Sequence, residues 1–494
     1  MKKFHLISLC TLLFIIILWS CKEKAEAEEY IATNVETTSS NCNLSSTEFN
    51  TWFTAGVASE NGSVDAANSV DFKHENNCDF YKWSERMFLW ITSNSGDGTV
   101  MESPVFYTIS PVKSTSAGDV REFIPHTEGV PLRAFSNVDK TDDIETEQGQ
   151  AGSDDVLMDR YGNLVYYISF GNDVYAQFLT AVKNDKMGGE TFPTTVEERD
   201  SIVDFAKKYN VDLSDANALA IELKTSWIIA ESLDNVDDFV TVEAIIPTYN
   251  KSDSVWVITG EETATLAMVG MHIVGSAANH PEMIWATFEH ENNTPNTAYQ
   301  YISNGETITV PADGDGSWIF NSDVSDPPNV SHMTFSGDSI IAQPNHKISP
   351  SNTTLEKPWG SSYDSIPNPE DSSPAAANTT VLNLNQAIAK LLPGSDLRKN
   401  YLFIGATWTN NGAAPNGKSY SPSENEDGVA IGTSQLANST METYFQNGPD
   451  YAVFSSCFMC HNKNNGLKPT DLSHVFSKIE PLFSESISTV PETP

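Results

Sequence analysis

Basic residues are scarce in this chain. It has 28 Lys and Arg against 66 Asp and Glu, a formal charge of −38 over 494 residues. Such a surface repels polyanions, which excludes nucleic acid and an anionic lipid surface as natural partners. It permits steering towards a basic partner protein. Catalytic signatures are missing too. There is no Gly-x-Ser-x-Gly elbow, phosphate-binding loop, His-Glu-x-x-His pair or dinucleotide fingerprint. No internal repeat is visible. A run at 313–318 begins like a calcium loop, but Trp318 stands where that loop needs glycine and no glutamate closes it. Cysteine is rare at 6 residues, so the placement of each one is informative.

What is present is concentrated at the two ends. Near the C-terminus, Cys457-Phe458-Met459-Cys460-His461 has the Cys-x-x-Cys-His pattern of covalent haem attachment. Two thiols two residues apart can add to the two vinyl groups along one porphyrin edge. The histidine that follows then serves as an axial iron ligand. At the N-terminus, a short basic leader precedes the almost wholly apolar stretch 4–19. This is a secretory signal rather than an element of the fold.

Together these features resemble the exported c-type cytochromes of bacteria. Leu18-Trp19-Ser20-Cys21 is similar to the lipobox of bacterial lipoproteins. That resemblance implies cleavage before Cys21, a lipid on Cys21, and anchoring to the outer membrane, facing either the periplasm or the cell surface. It further implies one covalent haem c on Cys457 and Cys460, with His461 as axial ligand. His474 is the candidate second ligand and Met441 a weaker one. Met459, held between the two cysteines, is not a sensible ligand. The chain departs from small cytochromes c, in which the motif opens a domain and a methionine ligand follows far downstream. Cytochromes c-prime do carry a late motif, but on a four-helix bundle. A zinc site built from Cys457, Cys460, His461 and His474 is a further reading, although adjacent Cys460 and His461 seldom reach one tetrahedral ion.

The remaining pair, Cys42 and Cys78, forms a disulfide in an oxidising compartment or stays as two free thiols. Between the ends, short β-branched and aromatic runs recur with turns between them, as at 105–109, 163–168, 218–229 and 239–247. Helices are expected at 174–183, at 195–208 behind a Thr195 cap, at 381–392, at 433–446 and from about 470. The clearest hairpin is 266–291. With its turn near Asn279, His272, Val274, Ile284, Ala286, Phe288 and His290 share one face, and Met271, Trp285 and Glu289 the other. The two histidines then lie on the order of 13 Å apart, so one site cannot use both.

The expected fold is α+β and β-rich: a large antiparallel-sheet body with a short, mostly helical C-terminal haem-binding segment. Residues 1–21 are the signal and lipobox, 22–45 a flexible acidic tether, 46–380 the body, and 381–494 the haem-carrying segment. The expected function is electron transfer by a membrane-anchored monohaem cytochrome with a redox partner protein. The alternative is a haem-dependent oxidoreductase acting on a peroxide- or oxygen-type molecule in a pocket of the body.

Overall fold

The computed structural model describes residues 42–96, 98–116, 118–134, 155–314, 316–321, 327–361, 366–446 and 457–484. The signal segment, Cys21 and most of the expected tether lie outside these residues. The fold is α+β and β-rich, built on one large sheet of twelve strands. In chain order these are β1 (Phe106–Ile109), β2 (Phe123–Pro125), β3 (Leu132–Arg133), β4 (Tyr166–Asn172), β5 (Ile221–Ile229) and β6 (Thr241–Lys251). They continue with β7 (Val255–Ala277), β8 (His280–His290), β9 (Met333–Ser336), β10 (Ser339–Ala342), β11 (Tyr401–Thr409) and β12 (Ala430–Gly432). The main path runs β12-β11-β8-β7-β5-β4-β1-β2. Strand β7 is the spine: its first half pairs with β6 and β10, and its second half with β5 and β8. Apart from the short parallel contact of β3 with β6, the pairings are antiparallel.

Six α-helices accompany the sheet among the described residues: α1 (Ser46–Asn50), α2 (Asn77–Ile91), α3 (Asp173–Lys183), α4 (Val196–Lys208), α5 (Pro374–Leu391) and α6 (Cys457–Cys460). None is long and apolar enough to cross a membrane. Helix α2 starts in a capping box, with Asn76 and Asp79 satisfying each other's end of the first turn. It packs aromatic residues onto one face of the sheet. Phe88 stacks on Phe288 with ring centroids 4.3 Å apart, and Phe80 on Trp408 at 3.8 Å. Gly275 makes this closeness possible, since a Cβ there would sit 2.8 Å from the Trp83 ring. The arm before α2 is fixed by a Cys42–Cys78 disulfide with a Cα separation of 5.2 Å. Cys42 and Leu44 are buried, so the expected tether is already part of the body from Cys42 onwards.

Three expectations need correction. A bulge between Gly275 and Ala277 shifts the hairpin register, so His272 faces Thr287 and Val274 faces Trp285. Trp285 therefore shares a face with His272, while His290 lies on the opposite one, stacked on Phe239. The helices expected at 433–446 and from about 470 are instead irregular, with single 3-10 turns at Thr443–Phe445 and Pro469–Asp471. In the first segment, Asn438, Ser439 and Thr440 bond to the sheet rather than to a helix of their own. Finally, the boundary placed at 380/381 falls inside α5, and β11 and β12 belong to the main sheet. The last hundred residues thus build the body as well as the motif.

Candidate haem site

The site rests on the sheet face opposite α2. Across three strands, Lys224, His272 and Thr287 are register neighbours, and one step further along so are Glu222, Val274 and Trp285. Segment 433–446 lies across this face. Gly270 lets it approach, because a Cβ there would meet Thr440 Oγ1 at 2.6 Å and Ser226 Oγ at 2.7 Å. Asn438 Nδ2 donates to Thr287 Oγ1 at 2.8 Å, Ser439 N to Glu289 Oε1 at 2.7 Å, and Tyr167 Oη to the Thr440 carbonyl at 2.8 Å. Glu442 receives His272 Nε2 at 2.9 Å and Asn438 N at 2.8 Å. Burial pushes the Glu442 carboxyl up, but His272 and the Lys224 charge outweigh it and hold the group below the usual carboxylate range.

The motif follows. Cys457–Cys460 form one helical turn, which places the two thiols on the same side, three residues apart. Burial raises both thiols above the ordinary value, so both are protonated at neutral pH. His461 N donates to the Cys457 carbonyl at 3.0 Å and completes the turn. The exposed helix end is capped by asparagines: Asn462 Nδ2 donates to the Phe458 and Met459 carbonyls, and Asn465 Nδ2 to that of Cys460. Phe458 is fully buried in a cluster with Trp285, Leu472, Phe476 and residues of α3 and α4. The chain beyond the motif is pinned as well. Arg121 N donates to the Lys478 carbonyl and Glu480 N to that of Arg121, and Ser473 Oγ donates to Glu222 Oε1 at 2.9 Å.

His461 is the centre of this arrangement. Its ring lies 4.7 Å from Trp285 and 4.8 Å from His474, centroid to centroid. Its Nδ1 faces the Leu472 carbonyl, which can only accept, so Nδ1 carries the hydrogen. The lone pair is then on Nε2. Burial, followed by the neighbouring His474, pushes the imidazole down to about 3, which keeps it neutral at physiological pH. Ligating histidines in metal proteins are commonly held in this way, the second nitrogen donating to a carbonyl.

The predicted residues separate clearly. Cys457, Cys460 and His461 share one helical turn, and the His474 ring lies against that of His461. His474 has a left-handed backbone, φ 62°, which breaks the helix expected there. Met441 does not join them; it is fully buried in a different cluster with Ile228, Val269 and Phe320. Cys21 lies outside the described residues. The four zinc candidates do not close round one ion, and among the described residues no three His, Cys, Asp or Glu side chains do so. Sequence reasoning missed Trp285, Lys224, His272 and Glu442 as neighbours of the motif, because the bulge that aligns them has no clear local signal. The donor set fits a covalently held haem: two neutral thiols on one helical turn, a tautomer-fixed imidazole behind them, and a second imidazole close by. No family model, curated protein or solved structure matches the chain.

Proposed function

We propose that this is an exported, lipid-anchored monohaem c-type cytochrome working in electron transfer at the bacterial outer membrane. The observation that carries the reading is the hydrogen bond from His461 Nδ1 to the Leu472 carbonyl, directly behind two cysteines on one helical turn. It leaves Nε2 to ligate and fixes the ring plane. When bound, haem c supplies an iron that alternates between ferric and ferrous forms one electron at a time. Cys457 and Cys460 would hold the macrocycle covalently and His461 would ligate its iron; His474 would serve as the second ligand once its ring, now 4.8 Å from that of His461, moves back to admit the iron between them. With both imidazoles on the iron, no coordination position would be left for a substrate, which would suit a carrier rather than a turnover enzyme. Trp285, itself packed edge-on against Phe458, keeps water from one side of the His461 ring. The formal charge of −38 favours a basic redox partner.

The oxidoreductase alternative needs a substrate pocket beside the motif. The large cleft of about 530 Å³, lined by residues that include Thr92, Glu102, Phe239 and Arg398, shares no residue with the motif. The test is a haem stain of the mature protein on a denaturing gel, after co-expression with a cytochrome c maturation system, together with the visible spectrum of the native protein. Covalent haem with a low-spin six-coordinate spectrum is expected. Cys457→Ala with Cys460→Ala should abolish the stain and leave the sheet folded by circular dichroism. His474→Ala should turn the ferric spectrum high-spin. A chain that retains no haem would end the reading, and a native high-spin spectrum would turn it towards an enzyme.

A further inference from the structure

A second histidine pair lies at the tip of the β7–β8 hairpin. His280 opens β8 and is 4 % exposed, whereas His74 lies on the surface in the loop before α2. The hairpin and that loop are joined by Ala278 N donating to the Ser69 carbonyl at 2.8 Å. The two imidazole centroids are 5.0 Å apart and their planes are inclined by 64°. An imidazole nitrogen binds a metal at about 2 Å, and the ring centroid lies roughly 1 Å further. Two such ligands at a tetrahedral angle therefore have centroids about 5 Å apart.

Glu282 supplies the second indication. His280 Nδ1 donates to Glu282 Oε1 at 2.9 Å, and the same oxygen accepts from Thr409 N at 3.1 Å. The bond fixes the tautomer of His280 and leaves its lone pair on Nε2. Glu282 is 2 % exposed, and its other oxygen, Oε2, is buried without a hydrogen-bond partner. A buried carboxylate of this kind is costly unless a positive charge is held nearby. A cation on the far side of the imidazole meets that need through the carboxylate–histidine–metal relay. Phe72 stacks on His74 and Phe80 packs edge-on to His280, so both rings are held in place. The pair His332–His346 makes a useful contrast. Those rings are stacked at 16°, so their in-plane lone pairs run parallel and cannot meet at one ion.

We propose that His74 and His280 bind a divalent transition-metal ion of the Cu²⁺ or Zn²⁺ class, with Glu282 as the positioning carboxylate and solvent completing the shell. The ion enters past exposed His74. The site shares no residue with the haem motif and does not depend on that reading.

The test uses the purified protein as isolated, stripped of loosely held metal and titrated separately with Zn²⁺ by calorimetry and Cu²⁺ by electron paramagnetic resonance. One ion per chain is expected, with a Cu²⁺ signal coupled to two nitrogens. His74→Gln changes an exposed side chain and should weaken binding at least tenfold without moving the unfolding midpoint. Glu282→Gln should weaken it by about 10–100-fold. His346→Gln should bind as the parent does. Binding that survives His74→Gln, or that is lost in His346→Gln, would overturn the proposal. So would the lack of any one-to-one binding at tens of micromolar metal.

Discussion

The two faces of the central sheet are built by opposite means. Under α2 the face is dry: Met271, Ile273, Phe288 and Phe403 meet Phe88, Leu89 and Ile91, and stacked rings fill the gap. On the other face, Lys224, Ser226, His272, Thr287 and Glu289 meet a segment rich in Asn, Ser and Thr, and hydrogen bonds fill the gap. Apolar packing is non-directional and tolerates small shifts. A buried polar network permits fewer arrangements, because each unmade bond is expensive. The segment that leads to the motif is therefore placed by direction-specific contacts, which suits a site whose ligands must be held accurately. Strand β7 serves both faces by having glycine at the closest approach on each: Gly275 under Trp83, and Gly270 under Thr440.

The strongest way to break this comparison is to hollow out the dry face. Phe288→Ala removes a fully buried ring stacked on Phe88 and should cost about 3–5 kcal/mol in chemical denaturation. The haem stain of the folded fraction should persist, because the ring points away from the motif. A loss below about 1 kcal/mol would mean that the dry face is not the main store of stability. A smaller effect is expected from the polar face. Asn438→Ala removes donors to Thr287 Oγ1 and the Phe288 carbonyl and an acceptor for Thr440 N. About 1–3 kcal/mol should be lost. Amide exchange should quicken in 438–446 ahead of the rest of the sheet. Uniform quickening would show that the segment is not a separate layer.

These two faces also explain what was legible in the sequence. The strand-rich middle was readable because β-branched runs alternate between turns. Helix α4 was readable because Thr195 and Glu198 form its capping box. The Cys-x-x-Cys-His pattern stands out because its five residues are contiguous. Helix α2 was not. Phe80, Tyr81, Trp83, Met87, Phe88, Leu89, Trp90 and Ile91 are all buried, so it has no clean polar stripe to set a period. Segment 433–446 erred the other way. Its spacing suits a helix, but its Asn, Ser and Thr side chains find better partners across the sheet, and those partners are distant in sequence. The hairpin faces inverted because one bulge changes the parity of every later residue.

The finest probe of the polar face is its titration. Burial raises the Glu289 carboxyl to about 7, against the pull of its bonds from Ser439 and Asn293. In the unfolded chain the same group titrates at the ordinary glutamate value. Between those two points the folded protein keeps a proton that the unfolded chain releases. Stability from this group is thus fully present below about pH 4.5, declines as pH rises, and is lost above about 7. Glu289→Gln imitates the protonated acid at every pH. It should reduce the fall in stability between pH 5 and 7 by roughly one proton's worth, with little change near pH 4. Glu222 on the same face is also raised to about 7, and Glu85 on α2 to about 8, so some slope remains in the variant. Unfolding midpoints of parent and variant, measured in parallel from pH 4 to 8, give the comparison. If the two curves stay parallel, Glu289 is already ionised in the folded state. The polar face would then be holding a charge rather than a proton beneath Ser439 and the rest of segment 433–446.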